Sequence, residues 1–282
     1  MLIEKIDLYD YYGIERPKGG KGYLTCYIHE HSDEYCKGRL RPAMIVVGGG
    51  AYLFVSDREK EPVAIKYLAE GFNSFVLDYS CEPIKYPYQF LEGVMATRFV
   101  KENAKKYHVI KNKVAMIGFS AGGHLAGTVA TLYNNSVAIK YFGKKVELNR
   151  PDAMVFSYPV VTLGLKTHGG TADRITGGDK GLKEYLSVDK HVTDKTPPAF
   201  IWTTKNDNTV PYENSLMLFD AYKKSGAWCE LKLFEKGVHG LSLATKETAG
   251  KGTESYMINE DVSAWFACSM DFLHKLGFYV ED

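Results

Sequence analysis

Ser120 stands in GFSAGGHLAG (residues 118–127), hemmed in by small residues directly after the apolar run VAMIGF (114–119). The pattern Gly118-x-Ser120-x-Gly122, with a strand-like run before it and a helix-like run after it, is what an exposed nucleophilic hydroxyl requires. A turn that sharp holds its central residue in a strained backbone conformation. Side chains two positions either side would strike the helix and the neighbouring strand, which explains the two glycines. The hydroxyl is lifted above the carboxyl edge of a sheet, at the positive end of the following helix. The chemistry such a serine performs is attack on a carbonyl carbon.

That attack needs donors for the oxyanion it creates, and backbone N–H groups usually supply them. A second glycine-rich turn, VVGGGAYLF (46–54), follows the apolar run AMIVV (43–47). It predicts an oxyanion hole made by the amides of Gly49, Gly50 and Ala121. The loop carries neither G-x-G-x-x-G nor G-x-x-x-x-G-K-[ST], so it lacks the signature of a phosphate cradle. Just beyond it, Tyr52 and Phe54 are expected to line the cleft, Tyr52 as the substrate-binding residue.

An acid and a base complete the set. After AFIWTT (199–204) comes KNDNTVPYEN, with Asp207 just past a buried run; after ELKLF (230–234) comes EKGVHGLSL, with His239 in a turn between glycines. Each lies where a strand end would deliver it to Ser120, giving a Ser120-His239-Asp207 triad. His124, one helical turn beyond the serine, is too close in the chain to act as its base and is assigned to packing or capping. The other histidines, His168 among them, are read as surface residues. No H-E-x-x-H and no Cys/His pair at zinc spacing is present, so no metal site is expected.

The elements that must position these residues are short, most of them apolar throughout, and several are separated by helical patterns. Runs at 43–47, 74–79, 114–119, 153–158, 199–204 and 230–234 read as strands, most of them buried on both faces. EPVAIKYLAE (61–70) reads as a helix with Ile65, Leu68 and Ala69 on its inner side. The stretch 88–107 repeats apolar residues at Leu91, Val94, Met95 and Phe99. The stretch 212–226 closes on Gly226, and the last helix sets Val262, Phe266, Ser269 and Leu273 in one stripe. Strand and helix in alternation predict an α/β fold, one domain spanning residues 1–282, with a mostly parallel central sheet and helices on both faces. A loop-rich insertion over 159–198, with KTHGGTADRITGGDKG in its middle, is expected to form part of the substrate cleft.

Composition narrows the function classes. Lys and Arg number 35 against 34 Asp and Glu, and no dense basic block occurs, so nucleic acid is not an expected partner. No apolar run approaches the roughly 20 residues of a membrane span, which excludes a membrane role of that kind. Five cysteines without a C-x-x-C pair fit reduced thiols. The first 20 residues carry acids and tyrosines where a secretory leader has a basic start and an apolar stretch, which predicts a cytoplasmic protein.

With these residues in place the chain resembles the α/β-hydrolase superfamily, and within it the bacterial acetyl xylan esterase and feruloyl-esterase-like branch. The pieces that carry the resemblance are VVGGGAYLFVSDREKEPVA, GFSAGGHLAG, RPDAMVFSYPVV, SVDKHVTDKTPPAFIWTTKNDNTVPYENSL and KGVHGLSLAT, in family order. It implies a serine carboxylesterase without a cofactor, acting on acetyl or other small acyl esters of carbohydrates, with a small molecule or an oligosaccharide as its ester substrate. The chain departs from the family at Val47, where relatives often have His or Pro, and at Asn206, where they often carry a second acid. A feruloyl or aryl esterase and a non-catalytic ligand-binding protein are the alternatives. A peptidase of the prolyl-oligopeptidase type would share the elbow and the D-x-x-V-P arrangement but normally adds a large propeller domain.

Overall fold

The computed structural model describes residues 1–281. Eight strands form one sheet: β1 (Leu2–Asp7), β2 (Tyr23–Ile28), β3 (Arg41–Val47), β4 (Asn73–Asp78), β5 (Val109–Phe119), β6 (Ala153–Ser157), β7 (Ala199–Thr204) and β8 (Cys229–Phe234). Their order is β1-β2-β4-β3-β5-β6-β7-β8. The pairs β1/β2 and β2/β4 are antiparallel, and every other pair is parallel.

The alternation of side chains along each strand divides the core into two layers. In β3, Ala43, Ile45 and Val47 face one layer, with the helices Tyr88–Glu102 and Ala121–Leu132. Met44 and Val46 face the other, with the helices Glu61–Ala69 and Trp265–Lys275. Six strands and both helix-covered faces stand where the runs predicted them, although β8, at the sheet edge, is only partly buried. The antiparallel pair β1/β2 was not anticipated: β1 is an edge strand that exposes Leu2 and Ile3 and mixes charges into its pattern, so it carries little apolar signal.

One local expectation is corrected. The helix Glu61–Ala69 buries Val63, Ala64 and Tyr67, while Ile65 is 45% exposed. Tyr67 belongs to the buried face, packed against Phe72 and Phe266, and its hydroxyl bonds Ser269 Oγ, 3.1 Å away. The stretch 159–198 keeps long loops around two short α-helices, Gly169–Thr176 and Lys180–Tyr185, and Gly177, at φ 67°, closes the first of them in the left-handed conformation.

One buried carboxyl ties the N-terminal segment to the sheet. Glu92, fully buried, accepts the Ser80 amide at 2.7 Å, the Ser80 hydroxyl at 2.5 Å and the Tyr9 hydroxyl at 2.8 Å. Burial dominates over these donors and pushes its carboxyl up to about 7. A folded value above the unfolded one means the native state holds the proton more tightly. Its contribution is complete below the unfolded value of 4.5 and is lost as pH rises through about 7. The expected loss is about 3 kcal/mol. Urea unfolding at mildly acidic and mildly alkaline pH tests this: the fall in stability should be markedly smaller in Glu92→Gln, and an equal fall in both proteins would refute it.

Candidate active site

β5 ends at Phe119, and the helix Ala121–Leu132 starts one residue later. Ser120, between them, has φ 51° and ψ −119°, a conformation that costs a non-glycine residue roughly 1–3 kcal/mol. The elbow tolerates no bulk around it. A Cβ on Gly118 would lie 2.4 Å from the Gly122 carbonyl oxygen, and one on Gly122 would lie 2.3 Å from the Val47 oxygen. The Ser120 amide bonds Ser157 O across to β6 at 3.0 Å, which fixes the turn to the sheet.

The two strands at the other side of the sheet end in loops that carry Asp207 and His239. These loops are joined: Asn206 Oδ1 accepts the Gly237 amide at 2.7 Å, and Thr204 donates its hydroxyl to Gly237 O at 2.7 Å. Asn206 thus holds the histidine loop. Asp207 Oδ1 accepts the amides of Thr209 and Val210, both at 2.9 Å. Its Oδ2 lies 2.6 Å from His239 Nδ1, and the Asp207 side chain is 1% exposed. A carboxylate only accepts, so Nδ1 carries the proton. His239 Nε2 is then free to accept from the Ser120 hydroxyl, 2.8 Å away.

The glycine loop runs past Ser120, but its amides are not equivalent. The Gly49 N–H donates at 2.7 Å to Oε2 of Glu59, a buried carboxylate that sequence reasoning passed over. Gly49 is therefore corrected from an oxyanion donor to a structural one. No hydrogen bond among the described residues occupies the amides of Gly50 and Ala121. Gly50 must be glycine: it has φ 120°, and a Cβ there would lie 2.2 Å from Phe54 O.

Tyr52 is also corrected. It is 1% exposed, and its hydroxyl bonds His124 Nδ1 at 2.8 Å. Ala51 and Tyr52 both adopt positive φ, 55° and 58°, which rolls the chain so that Tyr52 faces inward. Phe54, 56% exposed, lines the cleft. His124 is a packing residue: its Nε2 bonds Leu186 O at 2.9 Å, and burial pushes its imidazole down to about 4.

The cleft above Ser120 has a volume of about 680 Å³. Phe54, Arg58 and Glu59 come to it from the segment after the glycine loop, and Thr209 from the Asp207 loop. His168, read from sequence as a surface residue, also lines it and caps the helix Gly169–Thr176. Its Nδ1 accepts the Thr171 amide at 3.2 Å, so the neutral ring bears its proton on Nε2. Burial first, and then nearby His239, hold its imidazole below the usual range, which favours that neutral form. A histidine directly before Gly-Gly-Thr is a weak helix-start signal, the one hint the sequence offered. Glu59 offered none, because DREKEP reads as a solvated charge run.

Among the described residues no group of three or more His, Cys, Asp or Glu side chains is placed to hold a metal ion. No helix among them is long and apolar enough to cross a membrane.

The family model BD-FAE matches residues 32–222. The endo-1,4-beta-xylanase B of Butyrivibrio fibrisolvens is 32% identical over 268 residues, covering 91% of this chain and 40% of that protein. The acetylxylan esterase of Xylanibacter ruminicola is 26% identical over 234 residues, covering 80% of this chain and 45% of that one. The chain thus spans less than half the length of either relative. Among solved structures, the acetyl ester-xyloside bifunctional hydrolase from Caldicellulosiruptor lactoaceticus superposes with a TM-score of 0.82 at 31% identity, covering 98% of this chain and 97% of that one.

Proposed function

Because the chain belongs to the BD-FAE family, an esterase-like branch of the α/β-hydrolases, we propose that it is a serine carboxylesterase that removes acetyl or other small acyl groups from carbohydrate esters. The observation that carries this reading is the continuous relay from Ser120 Oγ through His239 to Asp207, 2.8 Å and 2.6 Å, opening into the cleft beside two unoccupied amides.

In the first half-reaction, Ser120 Oγ attacks the ester carbonyl carbon while His239 Nε2 takes the hydroxyl proton. The carbonyl oxygen becomes an oxyanion within reach of the Gly50 and Ala121 amides. The carbon–oxygen bond to the alcohol then breaks, and His239 returns its proton to the departing alkoxide. In the second, a water gives a proton to the same nitrogen and attacks the acyl carbon, and the released serine takes that proton back. Asp207 keeps the imidazole in the tautomer that accepts from serine and stabilises the imidazolium.

The carbohydrate substrate is supported by the names of the relatives, an endo-1,4-beta-xylanase, an acetylxylan esterase and an acetyl ester-xyloside bifunctional hydrolase. It is tested with a matched panel: p-nitrophenyl acetate, butyrate and octanoate, acetylated xylo-oligosaccharide and methyl ferulate. Acetyl esters, the oligosaccharide included, are expected to give the highest kcat/KM. A preference for octanoate would overturn the small-acyl assignment. A preference for ferulate would replace it with an aromatic acyl group, for which the exposed Phe54 at the cleft offers a stacking surface.

A further inference from the structure

A buried carboxylate that the mechanism above does not use lies between the glycine loop and the catalytic histidine. Glu59 is 3% exposed and sits in the short turn Asp57–Glu59. Its Oε2 accepts the Gly49 amide at 2.7 Å, and its Oε1 accepts the Tyr158 hydroxyl at 2.6 Å. The Tyr158 oxygen in turn accepts the Ser242 amide at 2.9 Å. The Tyr158 ring stands edge-on to the His239 imidazole, with centroids 5.0 Å apart and planes at 67°. Ser242 closes the circuit, its hydroxyl donating at 2.6 Å to the carbonyl of Arg58, the residue before Glu59.

Both partners of Glu59 are donors. The Gly49 N–H has nothing else to give, and the Tyr158 oxygen already accepts from Ser242, so its proton points at Glu59. Only a group with two acceptor oxygens satisfies both, and a carboxamide has one. Leaving such a buried polar group unpaired is costly, which makes the carboxylate hard to replace. The glycine loop is also held tightly against the nucleophile: a Cβ on Gly49 would lie 2.8 Å from Ser120 Cβ and 2.9 Å from Glu59 Oε2. Movement of Glu59 therefore passes to Gly49 and on to its neighbour Gly50, the proposed oxyanion donor. On its other side Glu59 acts through Tyr158 on the imidazole.

We propose that Glu59 is a positioning residue, whose carboxylate locks the oxyanion loop and the His239 ring into one hydrogen-bonded unit. The inference rests on the triad reading above and adds a residue that acts on the reaction through Gly50 and His239.

The test compares wild type, Glu59→Gln, Tyr158→Phe and the double variant on p-nitrophenyl acetate. In each, the competent sites are counted by stoichiometric labelling of Ser120 with a p-nitrophenyl alkylphosphonate, and thermal melts are recorded. Since losing one oxyanion donor costs roughly 10²–10³ in kcat, displacing one should cost Glu59→Gln about 30-fold in kcat per labelled site, with KM within about threefold. Tyr158→Phe should lose about tenfold, and the double variant should be no slower than about threefold below Glu59→Gln, because the two side chains belong to one unit. A purely structural role would lower the melting temperature and the labelled fraction while each surviving site turned over at the wild-type rate; that result overturns the proposal. If Glu59→Gln does not fold, Tyr158→Phe decides alone, and a wild-type kcat per site overturns it. If wild type hydrolyses the ester but Ser120 takes no label, the triad reading itself fails and the proposal falls with it.

Discussion

Ser120→Ala is expected to lower ester hydrolysis by at least about 10⁴-fold while the protein remains folded. The size of the loss follows from the relay: without Oγ, His239 has nothing to deprotonate and no covalent intermediate forms, so the oxyanion amides and substrate binding act alone. Retention of the fold follows from local contacts. Among the described residues the only side-chain bond of Ser120 is the one to His239, and the bonds that fix the elbow are made by its backbone. Alanine adopts the φ of 51° no more easily than serine, so the melting temperature should stay within a few degrees. His239→Ala should fall to a similar residual rate, and the double variant to no lower one, because these residues act as a unit. A Ser120→Ala protein with more than a tenth of wild-type activity would place the chemistry elsewhere.

Asp207→Asn is expected to cost about 10⁴-fold in kcat, through the tautomer rather than through lost structure. The two amides of Thr209 and Val210 that point at Oδ1 would retain the carboxamide oxygen there. The NH₂ group is then turned toward His239 Nδ1, which must accept instead of donate. The imidazole proton moves to Nε2 and faces Ser120, whose hydroxyl loses its base. Steady-state kinetics with a melting curve measures this, and a loss smaller than tenfold with the fold intact would contradict the role assigned to Asp207.

Ser120 and Asp207 were legible because each follows a buried strand, and His239 because the partly buried edge strand β8 keeps a short alternating run before its glycine turn. A run such as AFIWTT is apolar on both faces and locates its own end, so the polar residues just after it fall at the carboxyl edge of the sheet. The glycine pattern around Ser120 is legible for a steric reason, the close approach of Gly122 to the Val47 carbonyl. What escaped depends on the direction of a side chain within a loop. Tyr52 and Phe54 are two residues apart and were expected to share the cleft, yet two successive positive φ angles send one into the core and leave the other on the wall. Glu59 escaped because its burial is supplied by partners distant in sequence, Tyr158 above all. Gly49 lost its expected donor role for the same reason. His168 escaped because polar surroundings in the chain do not reveal that the segment folds back over the cleft. The edge strand β1 escaped because an exposed strand needs no apolar pattern, and β2 because its buried Leu24 and Cys26 alternate with half-buried Tyr23 and Thr25 instead of forming an apolar run.

The central claim is a covalent acyl-enzyme on Ser120. The most direct measurement is acid quenching of the wild-type protein during turnover of p-nitrophenyl acetate, followed by peptide mapping by mass spectrometry. The account predicts an acetyl group on the peptide containing Ser120, localised to that hydroxyl, approaching one per chain when deacylation limits turnover, and absent from Ser120→Ala. Acetyl transferred to a different side chain during turnover, or hydrolysis with an initial burst of p-nitrophenol and no acetyl on Ser120, would contradict it.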